Sequence, residues 1–229
     1  MIQKKRRIGH QKVAATVEPL DLPPPALGSR RLVAQALRLR RTIREISDKK
    51  LPLQVLSDLL WAACGVNRKK GPFGVPGRTA ASASNCQEID VYVALKEATY
   101  LYLPLDHCLL PIIAGDLRPL AIGRGQGHAG AGAPARLIYV VDIAKLEHTG
   151  GFEEPGLHDP AVQKSYYYVD TGLIAANVYL FAASTGLASW FHNCDRIGLA
   201  ARLGLRRDQR VLFGQTVGYP NKKGRRASP

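Results

Sequence analysis

The chain has 229 residues, 46% of them hydrophobic and 7% aromatic, enough for one substantial core and unlike a disordered or fibrous sequence. Its 32 lysines and arginines outweigh 18 acidic residues, and the resulting net +14 points to an anionic partner: a phosphorylated cofactor, a nucleic acid or a membrane surface. No apolar run is long enough to span a bilayer, and Cys64, Cys86, Cys108 and Cys194 show neither CxxC spacing nor a disulfide framework, so a reducing cytoplasm is the expected setting.

Residues 1–28 begin with Lys4-Lys5-Arg6-Arg7, lack the apolar run of a secretory signal and end in Pro23-Pro24-Pro25. They read as a loosely ordered basic arm or a strap across a partner subunit, ahead of a single domain over 29–229. From Ser29 the pattern turns helical, with Leu32, Val33, Ala36 and Leu37 on one face. Where that helix ends, Arg40, Arg41 and Arg44 offer fork-shaped, permanently charged donors and Thr42 adds a hydroxyl, which suits a phosphate; a solvated basic face is the plainer alternative.

A second helix is predicted over Gln54–Cys64, with Gly65 as its stop, and the Pro- and Gly-rich Arg68–Arg78 stretch reads as a loop. Arg78 to Glu88 holds small residues followed by Asn85 and Gln87, a loop whose backbone can lie against a flat ligand. It runs into the alternating strand Ile89–Leu95, which Tyr100–Leu103 is expected to join in a hairpin.

A helix is predicted over Pro111–Ile122, then a Gly-rich loop and a strand over Leu137–Val141. Gly125, Gly127 and Gly130 satisfy G-x-G-x-x-G, but a dinucleotide fingerprint needs strand, loop, helix, and here the order is reversed. The longest element is a helix from about Ala161 to Thr185, too often interrupted by polar residues to span a membrane. Leu187–Phe191 follows as a strand, Asp195 caps a helix to about Leu203, and Arg210–Val217 is the last strand. Helices and strands mix without βαβ alternation, so the class is α+β.

Cys194 beside His192 is adjacency in sequence, not the spatial pair that thiolate catalysis needs. His107, His128, His148 and His158 have no ligand spacing with one another or with the cysteines, so no metal site is signalled. No helix-turn-helix, zinc or aromatic RNA-binding pattern accompanies the charge, which leaves a basic nucleic-acid-binding protein as the alternative of a different class.

Three segments, in order, resemble the flavin-dependent nitroreductase superfamily: Arg40-Arg41-Thr42-Ile43-Arg44, its Arg-Arg/His-Ser/Thr-x-Arg/Lys phosphate segment; Ala81–Gln87, its Pro-Ser-x-x-Asn-x-Gln loop beneath the isoalloxazine; and Gly218-Tyr219-Pro220 followed by Lys222, Lys223, Arg225 and Arg226, where it often places another phosphate-binding cation. The likeness covers about residues 30–226. It departs at Ala81, where proline is usual, at Ser84, where many relatives have glycine, and at Glu88, where proline frequently follows the glutamine.

The resemblance implies a nitroreductase-like fold, a central and mostly antiparallel sheet surrounded by helices, in a homodimer with FMN at the interface. It implies that Arg40, Arg41, Thr42, Arg44 and Arg225 hold the phosphate and that Ser82, Asn85 and Gln87 meet the ring. His192 and Asn193 lie on the stretch that passes over the flavin and supplies a backbone N–H to N5. A cation such as Arg78 is expected to favour the anionic reduced flavin. The implied activity is ping-pong hydride transfer from NADH or NADPH to a small nitro, quinone or enone acceptor, with no catalytic side-chain dyad. Leu59–Asn67, Tyr92–Leu95 with Tyr100–Tyr102, and Gly115–Arg118 also look like the azole-forming dehydrogenase branch, so oxidation of azoline rings in peptides is the alternative within the superfamily.

Overall fold

The computed structural model describes residues 17–26, 33–123, 125–126, 130–149 and 159–221. Its main sheet is built from β1 (Leu20–Asp21), β4 (Ile89–Ala94), β5 (Ala98–Leu103), β6 (Cys108–Ala114), β7 (Ala135–Asp142), β8 (Ala188–His192) and β9 (Gln209–Gly218). Two short strands, β2 (Val66–Arg68) and β3 (Gly77–Arg78), form a separate hairpin. The helices are α1 (Val33–Leu39), α2 (Leu53–Cys64), α3 (Ile143–Glu147), α4 (Pro160–Thr185) and α5 (Arg196–Leu203).

The seven strands lie in the order β1-β6-β5-β4-β7-β9-β8, and every neighbouring pair is antiparallel. All eight residues of β7 are buried, as an interior strand with both faces covered requires. On one face Val91, Val93, Leu137, Tyr139 and Val141 pack with Leu59, Leu60 and Ala63 of α2 and with Ile174, Val178 and Phe181 of α4. On the other, Tyr92, Leu101, Ile138, Val140 and Val211 meet Leu117, Ala121, and Leu199 and Leu203 of α5.

Local chemistry fixes the helix ends. Asp159 accepts the Ala161 N–H ahead of Pro160, and α4 stops at Gly186 in the left-handed region (φ 74°). Asp195 accepts the Gly198 N–H at the start of α5, as its sequence predicts. A buried polar chain then ties α4 to three strands: Gln215 accepts from the Tyr139 hydroxyl at 2.5 Å and donates to Ser189 Oγ at 2.9 Å and to the Ala175 carbonyl at 3.3 Å. It fixes where β8 sits against α4.

One expectation is corrected. The helix predicted over Pro111–Ile122 is instead strand β6 over Cys108–Ala114 and then a turn. Tyr100 pairs with Pro111 and Thr99 with Ile113, leaving Ile112 as a bulge beside the proline. Since β1 covers only Cys108 and Leu109, the outer edge at Pro111 has no strand partner to miss an N–H. Of the arm, residues 17–26 lie among the described residues. Residues 20–26 lie on their own chain: β1 joins the sheet, Ser57 Oγ donates to the Pro23 carbonyl, and the Ala26 N–H donates to Asp58.

Candidate functional site

The arginine segment runs along the outer edge of β8. Ile43 N donates to the Ser189 carbonyl at 3.0 Å, Ile46 bridges Pro220, Ser47 N donates to Tyr219 O, and Asn221 N donates to Glu45 O. Buried Ile46 plugs into a small cluster with Ala133 and Ala188. The backbone is thus anchored on the protein while Arg40, Arg41, Thr42 and Arg44 are all exposed. The Arg40 guanidinium lies 5.6 Å from the Tyr179 ring centroid and that of Arg44 5.5 Å from the Trp190 ring. Thr42 Oγ1 is 3.1 Å from the Tyr179 hydroxyl, which also accepts the Phe191 N–H at 2.8 Å. Among the described residues, none of the three arginines pairs with a carboxylate.

The Ser82–Gln87 loop is built in the opposite way, with its polar side chains turned onto the loop itself and onto the Pro72–Pro76 turn. Ser82 Oγ accepts the Gln87 N–H. Asn85 Nδ2 donates to the Val75 carbonyl at 3.1 Å and to that of Pro72 at 3.4 Å, while its Oδ1 accepts from Gln87 Nε2, which also donates to Pro76 O. Ser84, Asn85 and Gln87 all have positive φ, 45°, 55° and 55°, a concentration of left-handed non-glycine backbone that only strong anchoring sustains. One anchor is Asp170 of α4, which accepts the Ala83 N–H at 2.9 Å. Arg78 lines a cavity with Ser82, Gln87, Glu88 and Asp170, and its buried Nε has no partner among the described residues.

At the end of β8, His192 is 4% exposed and both ring nitrogens are engaged: Nδ1 with the Asn193 carbonyl at 2.8 Å and Nε2 with Thr216 Oγ1 at 2.7 Å. Nδ1 therefore carries the hydrogen and Nε2 accepts from the hydroxyl. Burial pushes this imidazole down to about 4, so it is neutral. Its ring is a packing group; Asn193 beside it is exposed. Burial raises the Cys194 thiol to about 11, which leaves it a poor nucleophile. Arg136 donates to the carbonyls of Arg118 and Gly130, and Arg118 donates to that of Ala133, fixing both stems of the Gly-rich loop.

The structure therefore brings Arg40, Thr42 and Arg44 together with Tyr179, Trp190 and Phe191. It does not bring them to Ser82, Asn85 and Gln87 within one chain. The loop meets α4 at Asp170 and the arginine segment meets it at Tyr179, nine residues or about 13 Å further along the axis. Arg225, with Lys222, Lys223 and Arg226, lies outside the described residues. Tyr179 and Asp170 escaped sequence reasoning, because their partners are remote in sequence and no short motif carries them.

Comparison with known proteins agrees with this fold. The Nitroreductase family model matches residues 37–219. A nitroreductase-like protein of Methanocaldococcus jannaschii is 29% identical over 157 residues, 66% of this chain and 72% of that protein. A crystal structure of a nitroreductase-like protein from Ralstonia eutropha superposes with a TM-score of 0.76 at 32% identity, over 93% of this chain and 94% of the other. Two more distant structures share the fold at 18% identity. One is in the Escherichia coli microcin synthetase McbBCD complex (TM-score 0.66; 90% and 79% covered); the other is the NADPH:FMN oxidoreductase of Vibrio harveyi (0.58; 83% and 69%). With the family model spanning most of the chain and the α+β architecture in place, this protein belongs to the nitroreductase family.

Proposed function

We propose that the protein is an FMN-dependent oxidoreductase that uses NADH or NADPH to reduce a small oxidised acceptor, a nitro, quinone or enone compound. The observation that carries this reading is the set of exposed guanidiniums of Arg40, Arg41 and Arg44, on an anchored backbone and without carboxylate partners among the described residues. Three such cations repel one another unless an anion joins them, and a phosphate dianion matches their fork geometry. Bound FMN would supply hydride transfer at N5, with donor and acceptor taking turns on one face.

The chain's own residues suit that group. Thr42, held by Tyr179, adds a neutral donor to the arginines. The side chains of Asn85 and Gln87 are spent inside their loop, so the loop would offer a ring its rigid backbone more than its amides. The buried Nε–H of Arg78, without a partner among the described residues and beside Ser82 and Gln87, is a donor suited to a ring acceptor. Asn193 supplies an exposed amide at the end of β8, and Arg225 would follow Asn221, whose N–H is bonded to Glu45 within the arginine segment.

The separation of the loop and the arginine segment along α4 fits a site completed across a homodimer, one chain lending the loop and the other the cations. Val169 and Leu173, on one side of α4, are 59% and 40% exposed, an apolar surface suited to burial against a second copy. No helix among the described residues is long and apolar enough to cross a membrane.

The visible spectrum of the purified protein tests the reading. Flavin absorbance, with FMN released on heating, is the expected result. A colourless protein that also fails to take up added FMN overturns it, and salt-sensitive binding to arbitrary DNA would then move the basic surface to a nucleic-acid role. A sedimentation mass of one chain at micromolar concentration would remove the dimer.

A further inference from the structure

We infer that Glu88 and Asp170 share one proton between their carboxyl groups, and that this pair positions the Ala83–Gln87 loop for the cofactor; its cofactor role rests on the function proposed above. Glu88 enters β4 and is 0% exposed; Asp170 lies inside α4 and is 4% exposed. A carboxylate oxygen of each and the Cys86 sulfur all lie within 4.8 Å of one another.

A count of donors gives the argument. The Cys86 thiol donates to Glu88 Oε2 at 3.0 Å, and the Ala83 N–H donates to Asp170 Oδ2 at 2.9 Å. Glu88 Oε1 is buried and receives no hydrogen bond from any donor among the described residues. Two ionised carboxylates this close would repel in a dry site, whereas one acidic proton removes the repulsion and supplies the missing donor.

The charged and titratable groups around the pair do not replace that proton. Arg78 from β3 lines the same cavity but forms no ion pair with either acid among the described residues. Cys64 from α2 is a neutral thiol, raised to about 11 by burial, and burial also raises Cys86 within the loop. Burial first, and the neighbouring Asp170 second, lift Glu88 to about 7, and burial lifts Asp170. The cavity is about 10 Å³, room for one water. A divalent cation there would find three ligands among the described residues, and taking Cys86 as a thiolate would end its donation to Glu88.

The pair grips the loop at Ala83 through Asp170 and at Cys86 through Glu88, on either side of Ser84 and Asn85, two of the three residues with positive φ. The clamp is intact with the proton in place and is lost as pH rises through about 7, when both acids ionise.

The test uses the full chain without cofactor. Infrared difference spectra at about pH 6 should show a protonated buried carboxyl that both Glu88→Gln and Asp170→Asn remove. Hydrogen exchange should show loop protection falling roughly tenfold or more between about pH 6 and 8.5 in the wild type but not in Glu88→Gln, whose amide donates at every pH. Absence of the acid band overturns the shared proton, and Asp170→Asn reports on it should Glu88→Gln fail to fold. Stoichiometric zinc binding abolished by either substitution overturns it in favour of a cation site. A pH-dependent loop in a protein that never takes FMN refutes the assigned function while leaving the proton pair in place.

Discussion

The arginine segment and the Ser82–Gln87 loop contain comparable numbers of polar side chains and use them in opposite ways. In the first, backbone bonds to Ser189, Tyr219 and Asn221 hold the chain, so the arginines and Thr42 are free to face outward. In the second, Ser82, Asn85 and Gln87 are consumed in holding a backbone that would otherwise not adopt three left-handed residues. A polar motif therefore does not reveal whether it presents side chains or backbone. That depends on whether neighbouring strands or the motif itself supply the anchoring.

The largest expected effect comes from removing the outward charges. A double Arg41→Ala, Arg44→Ala variant should weaken FMN binding by roughly 100-fold or more, since each charge-assisted contact contributes about 1.5–3 kcal/mol. Its stability to urea should change by less than about 1 kcal/mol, because among the described residues neither arginine pairs with an acid and only Arg44 stacks, on Trp190. Unchanged affinity in a quenching titration would show that these cations are a solvated face.

The loop should respond in the reverse sense, losing stability before affinity. Asn85→Ala strands the Val75 carbonyl and Gln87 Nε2 of one partner each and forces alanine to φ 55°, a destabilisation of about 2–3 kcal/mol. Asn85→Gly should recover about 1 kcal/mol of this, since glycine meets no penalty at that φ. Equal urea midpoints for the two variants would show that the backbone carries no strain there.

Sequence periodicity revealed more of the fold than of the site. Gln54–Cys64, Ala161–Thr185 and the Asp195 cap fall within a residue of helices α2, α4 and α5, and the alternation of β4 and the apolar run of β7 read directly as strands. Pro111–Ile122 failed because a proline beside a bulge at a sheet edge mimics the opening of a helix. At the site, the density of arginines at residues 40–44 was legible as charge. The inward use of Asn85 and Gln87 was not, because their acceptors at Pro72, Val75 and Pro76 reach them only once the β2–β3 hairpin has formed. The bridge from Thr42 to Tyr179 spans 137 residues and has no local signature.

Titration sharpens the contrast, since each region has a buried group beside it and the two shift in opposite directions. His192, at the end of the strand that carries the arginine segment, is held near 4 instead of 6.5. The unfolded chain takes up that proton first as pH falls, so stability is lost between about 6.5 and 4. Glu88, next to the loop, is held near 7 instead of 4.5. The folded state keeps that proton longer, so stability is lost as pH rises from about 4.5 to 7. The two slopes oppose each other between about 4.5 and 6.5, each at most about 1.4 kcal/mol per pH unit. Relative to wild type, His192→Gln should become less stable as pH rises through this window, and Glu88→Gln more stable. Parallel pH profiles for the two variants would contradict the shifts.

The smallest effect isolates the anchoring of the arginine segment from its charge. The Lys49 ammonium lies 4.4 Å from the Tyr219 ring centroid, three residues beyond Ile46, where the segment bridges to Pro220. This contact is exposed, so Lys49→Ala should cost only about 0.5–1 kcal/mol, and Lys49→Arg should restore it. If the anchored backbone is what aims Arg40, Arg41 and Arg44, Lys49→Ala should also weaken FMN binding, by roughly two- to fivefold, although Lys49 is not assigned to the phosphate. Raising the salt concentration should weaken binding to the wild type and to Lys49→Ala equally if Lys49 acts through position, and less in the variant if its charge itself meets the phosphate. Parallel salt slopes would therefore assign Lys49 to the anchor, and a shallower slope in Lys49→Ala would add it to the outward-facing cations.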